Sequence, residues 1–170
     1  MPTSPPYARR FLADLQRLRG ATRRVLPIAP TAPIVSVPVP AANPGGRAKV
    51  VVLAEDDPET RQLLVQTLGR HFRVFEAADG HAALRLLAGI DRPDVVILDV
   101  NMPRLDGFGV ATMIKENPNL KDVPIIFLTC MDSPTDVIRG IQAGARNYIT
   151  KPFALSALME KVGKASHRSR

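Results

Sequence analysis

Residues 93–103 read Pro93-Asp94-Val95-Val96-Ile97-Leu98-Asp99-Val100-Asn101-Met102-Pro103. A Pro-Asp pair punctuates the chain, four aliphatic residues follow without a polar break, and a carboxylate closes the run. A short continuous apolar stretch bounded by turn signals fits a strand buried on both faces, with no wet side to demand alternation. The pattern recurs on either side. Residues 49–54 form an apolar run ending in Glu55-Asp56-Asp57, and residues 72–76 form a shorter one. Pro124-Ile125-Ile126-Phe127-Leu128 ends in Thr129, and residues 147–150 run into Lys151-Pro152. Between these runs, apolar residues fall at helical spacing over 58–68, 80–87, about 107–115, about 133–143 and 154–164. Five strands and five helices in strict alternation predict an α/β fold, a doubly wound five-stranded parallel sheet covered on both faces.

In such sheets the working site lies beyond the carboxyl ends of the central strands. Used as a filter, that rule selects Glu55 and Asp56 after the first strand and Asp99 after the third. It adds Thr129 after the fourth strand and Lys151 after the fifth. Crowded carboxylates resist ionisation unless a hard divalent cation neutralises them, and oxygen ligands open to solvent suit Mg²⁺. A carboxylate beside such an ion can attack phosphorus and form an acyl phosphate. A hydroxyl and an ammonium nearby would hold the phosphoryl oxygens, where charge accumulates. Residue type and spacing therefore point to phosphoryl chemistry on an aspartate.

Four segments carry a family resemblance in the right order and spacing. They are Val52-Leu53-Ala54-Glu55-Asp56-Asp57-Pro58, then residues 96–107 from Val96 through Asp99 to Asp106-Gly107, then residues 125–129, and Asn147-Tyr148-Ile149-Thr150-Lys151-Pro152-Phe153. Together they resemble the receiver domain of two-component response regulators, in the manner of a chemotaxis-regulator-like single-domain receiver with an N-terminal extension. The resemblance runs from about Lys49 to Lys164. It implies a (βα)5 flavodoxin-like fold with strand order 2-1-3-4-5, and Asp99 as phosphoacceptor. It further implies Glu55, Asp56, Asp99 and the Asn101 backbone carbonyl as ligands of Mg²⁺. Thr129 and Lys151 would contact the phosphoryl group, and Tyr148 would be the switch aromatic that follows Thr129 inward. A cis peptide before Pro152 is also implied. The expected partners are a histidine kinase or histidine phosphotransfer protein and a downstream protein target. Such a chain is a signalling phosphoacceptor rather than an enzyme, catalysing only its own phosphorylation and dephosphorylation.

Three positions depart from the family's common pattern. Glu55 stands where Asp is commoner, a longer side chain that should still bind metal. Cys130 stands where Ala is usual and reads as a small packing residue. Met102 and Met131 are apolar neighbours of the site, expected to tune loss of the phosphoryl group. Asp57-Pro58 suits a helix N-cap followed by its first residue, and Asp106-Gly107 reads as turn chemistry.

Charge sharpens the division of the chain. The 170 residues carry 23 Lys and Arg against 16 Asp and Glu, a formal charge of +7. The first 49 residues hold the whole excess, with eight basic side chains and the single acid Asp14; residues 50–170 are neutral overall. The sequence therefore predicts a basic, Pro-rich extension over 1–46, a receiver domain over 47–167 and a short tail over 168–170. Within the extension, Ala8, Phe11, Leu12, Leu15 and Leu18 fit a short amphipathic helix over about 7–19, and a Pro-rich linker follows. The uncharged stretch 25–46 contains Pro27, Pro30, Pro33, Pro38, Pro40 and Pro44, so it is not read as a membrane span. Arg9-Arg10 lacks the apolar region of an export signal after it. With the single cysteine Cys130 excluding an internal disulfide, a cytoplasmic setting is expected.

Two other functions fit the sequence less well. An aspartate-nucleophile phosphatase of the haloacid-dehalogenase type would need an acid two residues after Asp99, and that position holds Asn101. A nucleic-acid binder is not expected of a neutral domain without Trp, except through the basic tail, whose phosphate contacts would weaken steeply with salt. About fifteen residues follow the last motif, enough for a final helix, so output is expected from a change in a protein-binding surface.

Overall fold

A computed structural model describes residues 47–130 and 147–167. The extension expected over 1–46, Met131, the helix expected over about 133–143 and the tail over 168–170 lie outside the described residues. The elements in chain order are β1 (Val50–Ala54), α1 (Pro58–Leu68), β2 (Arg73–Ala77), α2 (Gly80–Gly89) and β3 (Val95–Asp99). They continue with α3 (Gly107–Glu116), β4 (Ile125–Thr129), β5 (Asn147–Thr150) and α4 (Leu155–His167). The strands form one parallel sheet in the order β2-β1-β3-β4-β5, the arrangement expected from sequence.

Element boundaries moved by one to three residues, for local reasons. Phe72 donates its N–H to the Leu68 carbonyl and finishes the end of α1, whereas Arg73 donates to Lys49 and starts the ladder. β2 therefore begins one residue later than its apolar run. At the other end of the chain, Ser166 Oγ donates to the Gly163 carbonyl at 2.9 Å, and α4 continues to His167. Three aspartates cap helix N-termini by accepting a backbone N–H. Asp57 takes Thr60 N at 2.7 Å ahead of Pro58, Asp79 takes Ala82 N at 2.8 Å, and Asp106 takes Gly109 N at 2.7 Å. The turn residue Asp106 is thus a helix cap.

Alternation along the strands divides the core. Val51, Leu53, Val95, Ile97, Ile126, Leu128 and Ile149 share one buried cluster with Leu64, Val65 and Leu68 of α1 and Leu158, Val162 and Ala165 of α4. Successive strand residues face opposite ways, so Val52, Val96 and Phe127 point to the other face. There Phe127 meets Phe108 of α3, with ring centroids 5.1 Å apart. Cys130, read as a packing residue, is exposed, because it stands one residue beyond β4 where the buried run has ended. Among the described residues, no helix is long and apolar enough to cross a membrane.

Candidate functional site

Strand parity decides which side chains meet at the carboxyl rim. Leu53 of β1 pairs with Ile97 of β3, so two further residues along each strand bring Glu55 and Asp99 side by side on the same face. Ile149 of β5 belongs to that face and pairs with Leu128, and Lys151 lies two residues past it. Thr129 and Tyr148 have the opposite parity and stand above the Phe127 face. Phe127 and Tyr148 are register partners, and their rings stack with centroids 5.7 Å apart.

Asp99 and Glu55 are both buried, whereas Asp56 is exposed. One carboxylate oxygen from each of the three lies within 4.8 Å of the others. Two oxygens on an octahedral Mg²⁺ stand roughly 3–4 Å apart, so small side-chain rotations fit this set to the ion. The donor chemistry, three carboxylate oxygens with one side open, is that of Mg²⁺ rather than of a thiolate- or imidazole-binding metal. Asn101 is exposed, and its N–H donates to Asp99 Oδ1 at 3.1 Å, orienting the carboxylate from the following loop.

Lys151 supplies the positive charge. Its Nζ lies 2.9 Å from both oxygens of Glu55 and 2.9 Å from Asp99 Oδ2, with its side chain 21% exposed. Its N–H donates to the Thr129 carbonyl at 2.8 Å, and the Lys151–Pro152 peptide is cis, as expected. One ammonium shared by two buried carboxylates leaves an excess of negative charge. Burial raises the Glu55 pKa to about 7, with the Asp99 charge adding to it and the Lys151 hydrogen bond opposing it. Burial pulls the Lys151 pKa down, but hydrogen bonds to Glu55 and Asp99 more than offset that and leave it raised.

Thr129 is buried at the end of β4. The Tyr148 hydroxyl is buried without a hydrogen-bond partner among the described residues, and burial raises its pKa. The β3–α3 connection is pinned from outside the pocket: Arg104, at φ 69°, pairs with Asp79 at 2.5 Å, joining it to the start of α2.

Sequence reasoning missed two residues beside the acidic pair. Arg61 of α1 sends Nη1 to the carbonyls of Glu55 and Asp56 at 2.9 and 3.2 Å, and Nε to Glu76 of β2 at 3.1 Å. A lone Glu in the otherwise apolar end of β2, and an Arg one turn inside the following helix's N-cap, were the available signals. Without the β1–β2 register nothing joined them.

The response regulator receiver domain model matches residues 51–163. Response regulator MprA of Mycolicibacterium vanbaalenii is 41% identical over 113 residues, which are 66% of this chain and 48% of that protein. The chain therefore spans about half the length of that relative. Among solved structures, the signal receiver domain of a signal transduction histidine kinase from Syntrophus aciditrophicus superposes with a TM-score of 0.67 at 32% identity. That likeness covers 71% of this chain and 92% of the other. The receiver domain of sensor histidine kinase PA1611 from Pseudomonas aeruginosa, with magnesium coordinated in its active site cleft, gives a TM-score of 0.63 at 30% identity. It covers 71% of this chain and 98% of that one.

Proposed function

The chain belongs to the response regulator receiver domain family of two-component signalling, and from that premise we propose that Asp99 accepts a phosphoryl group from a histidine kinase or histidine phosphotransfer protein. The observation that supports this most is the Lys151 ammonium held 2.9 Å from Asp99 Oδ2 at the end of β3. A carboxylate so placed is buried at the rim and has a cation beside the point where phosphoryl oxygens would arrive.

Glu55, Asp56, Asp99 and the Asn101 carbonyl would hold Mg²⁺, which when bound offsets the charge of the incoming phosphoryl oxygens. An Asp99 carboxylate oxygen forms the new bond to phosphorus as the donor's nitrogen–phosphorus bond breaks, and the imidazole leaves with the electron pair. Lys151 moves its hydrogen bonds from Glu55 towards the phosphoryl oxygens, and Thr129 donates its hydroxyl to another. Tyr148, stacked on Phe127 and with no hydrogen-bond partner for its hydroxyl among the described residues, follows Thr129 and alters the surface around β5 and α4 that a downstream protein reads. Water later attacks phosphorus and regenerates the carboxylate, so the only reactions catalysed are on the chain itself.

In this reading residues 47–167 are the receiver, with 1–46 a basic extension and 168–170 a tail, and the protein works in the cytoplasm. Incubation with Mg²⁺ and a small phosphodonor such as acetyl phosphate should add one acid-stable but base- and hydroxylamine-labile phosphoryl group. Asp99→Asn should take up none; equal labelling of that variant would refute the assignment.

A further inference from the structure

We propose that Arg61 and Glu76 are positioning residues for the metal-binding loop, clamping the backbone of Glu55 and Asp56 so that both carboxylates face the ion. The inference rests on the reading of those two acids as ligands. It concerns side chains that touch neither metal nor phosphoryl group.

The geometry separates this role from a general tie between helix and sheet. Glu55 and Asp56 leave the end of β1, where the ladder's last bond is from Glu55 N–H to the Ala77 carbonyl at 3.1 Å. Beyond it the chain must turn into α1, and the two carbonyls of the turn would otherwise be free to rotate. A single nitrogen, Arg61 Nη1, takes both carbonyls. Rotation of either peptide about its neighbours swings the attached side chain, so holding the carbonyls fixes where the carboxylates point. Glu76 fixes the guanidinium in turn through Nε. The Arg61 and Glu76 side chains are 19% and 24% exposed, so the pair is shielded more than a surface ion pair. The guanidinium serves Glu76 through Nε and both carbonyls through Nη1, two nitrogens held rigidly in one plane; a lysine ammonium is a single point on a shorter stem and lacks that geometry.

Simple electrostatics makes the opposite prediction. Arg61 is a cation near an acidic pocket, so its removal should strengthen Mg²⁺ binding if charge were its only contribution. A clamp predicts weakening. Partners that orient metal ligands typically carry a tenfold or larger share of affinity.

The test uses the full chain, free of metal, as wild type, Arg61→Gln and Arg61→Lys. Each is titrated with Mg²⁺ by calorimetry, and backbone amide exchange is followed by NMR before metal is added. Arg61→Gln should bind roughly tenfold more weakly despite losing a positive charge. Arg61→Lys should weaken too, although its charge is unchanged. In both variants the amides of residues 55–57 should exchange faster while those of β3 and β4 keep their protection. Equal or tighter Mg²⁺ binding by Arg61→Gln would overturn the clamp, as would unchanged exchange at 55–57. Should Arg61→Gln fail to fold, Arg61→Lys decides by the same two readouts. If wild type itself binds no Mg²⁺, the ligand reading fails, and the exchange comparison alone judges the clamp.

Discussion

Lys151 donates to both carboxylate oxygens of Glu55 at 2.9 Å, across 96 residues of sequence. The same ammonium reaches Asp99 Oδ2, so one cation serves two buried acids. The pocket is therefore poised between two ways of balancing its charge: a proton on Glu55, or a metal ion shared by the carboxylates.

The first consequence is a pH-dependent stability of the metal-free protein. Glu55 has a folded-state pKa of about 7 against an ordinary 4.5. The folded protein therefore holds a proton that the unfolded chain gives up. That contribution is complete below pH 4.5 and is lost as pH rises through 7, on the order of 3 kcal/mol in all. Lys151, also raised, contributes below its ordinary value of 10.5 and loses that contribution only as pH rises through its higher folded-state pKa, so it adds no slope near neutrality. Urea denaturation in EDTA should show stability falling from pH 5 to pH 8, and Glu55→Gln should flatten the profile. An unchanged slope in that variant would assign the effect elsewhere.

Mg²⁺ should compete with that proton. A ligating carboxylate must be ionised, so affinity should tighten from pH 6 to about pH 7.5 and level off above. Calorimetry at pH 6 in two buffers of different ionisation heat should reveal proton release, and at pH 8.5 the release should vanish. Heats independent of buffer at pH 6 would contradict the raised pKa of Glu55.

Gly107 tests how closely α3 must approach the site. A Cβ there would lie 2.3 Å from the Asp99 backbone oxygen and 3.0 Å from its carbonyl carbon, atoms that cannot step aside without moving the end of β3. Gly107→Ala should cost about 1–3 kcal/mol and slow phosphoryl uptake. Gly163, inside α4, has open space at the same position, and Gly163→Ala should stabilise by about 0.5–1 kcal/mol. Chemical denaturation of both variants, with acetyl phosphate labelling of Gly107→Ala, checks the contrast.

The sheet and most of the site were legible because both depend on local pattern. Val95-Val96-Ile97-Leu98, short and bounded by turn signals, fits a doubly buried strand, and in a parallel sheet the polar residue after each such strand emerges at one rim. Asp57 was legible as a cap from the proline behind it. Arg61 and Glu76 were not, because their meeting depends on β1 and β2 pairing in one register. The burial of Glu55 was hidden for a related reason: Glu55-Asp56-Asp57 looks like one charged cluster, but strand parity sends Glu55 inward and leaves Asp56 exposed. Cys130 reads as a packing residue, but its place one residue past the end of β4 leaves it exposed.

Signalling by this pocket requires phosphorus to become attached to the Asp99 carboxylate. The direct measurement treats the full chain with Mg²⁺ and acetyl phosphate, reduces it with borohydride, and locates the modified residue by peptide mass spectrometry. Reduction of an aspartyl phosphate leaves homoserine, which is expected at position 99 only, with none when Mg²⁺ is withheld. Homoserine at position 56, or a labelled protein whose Asp99 peptide stays unreduced, would overturn the assignment.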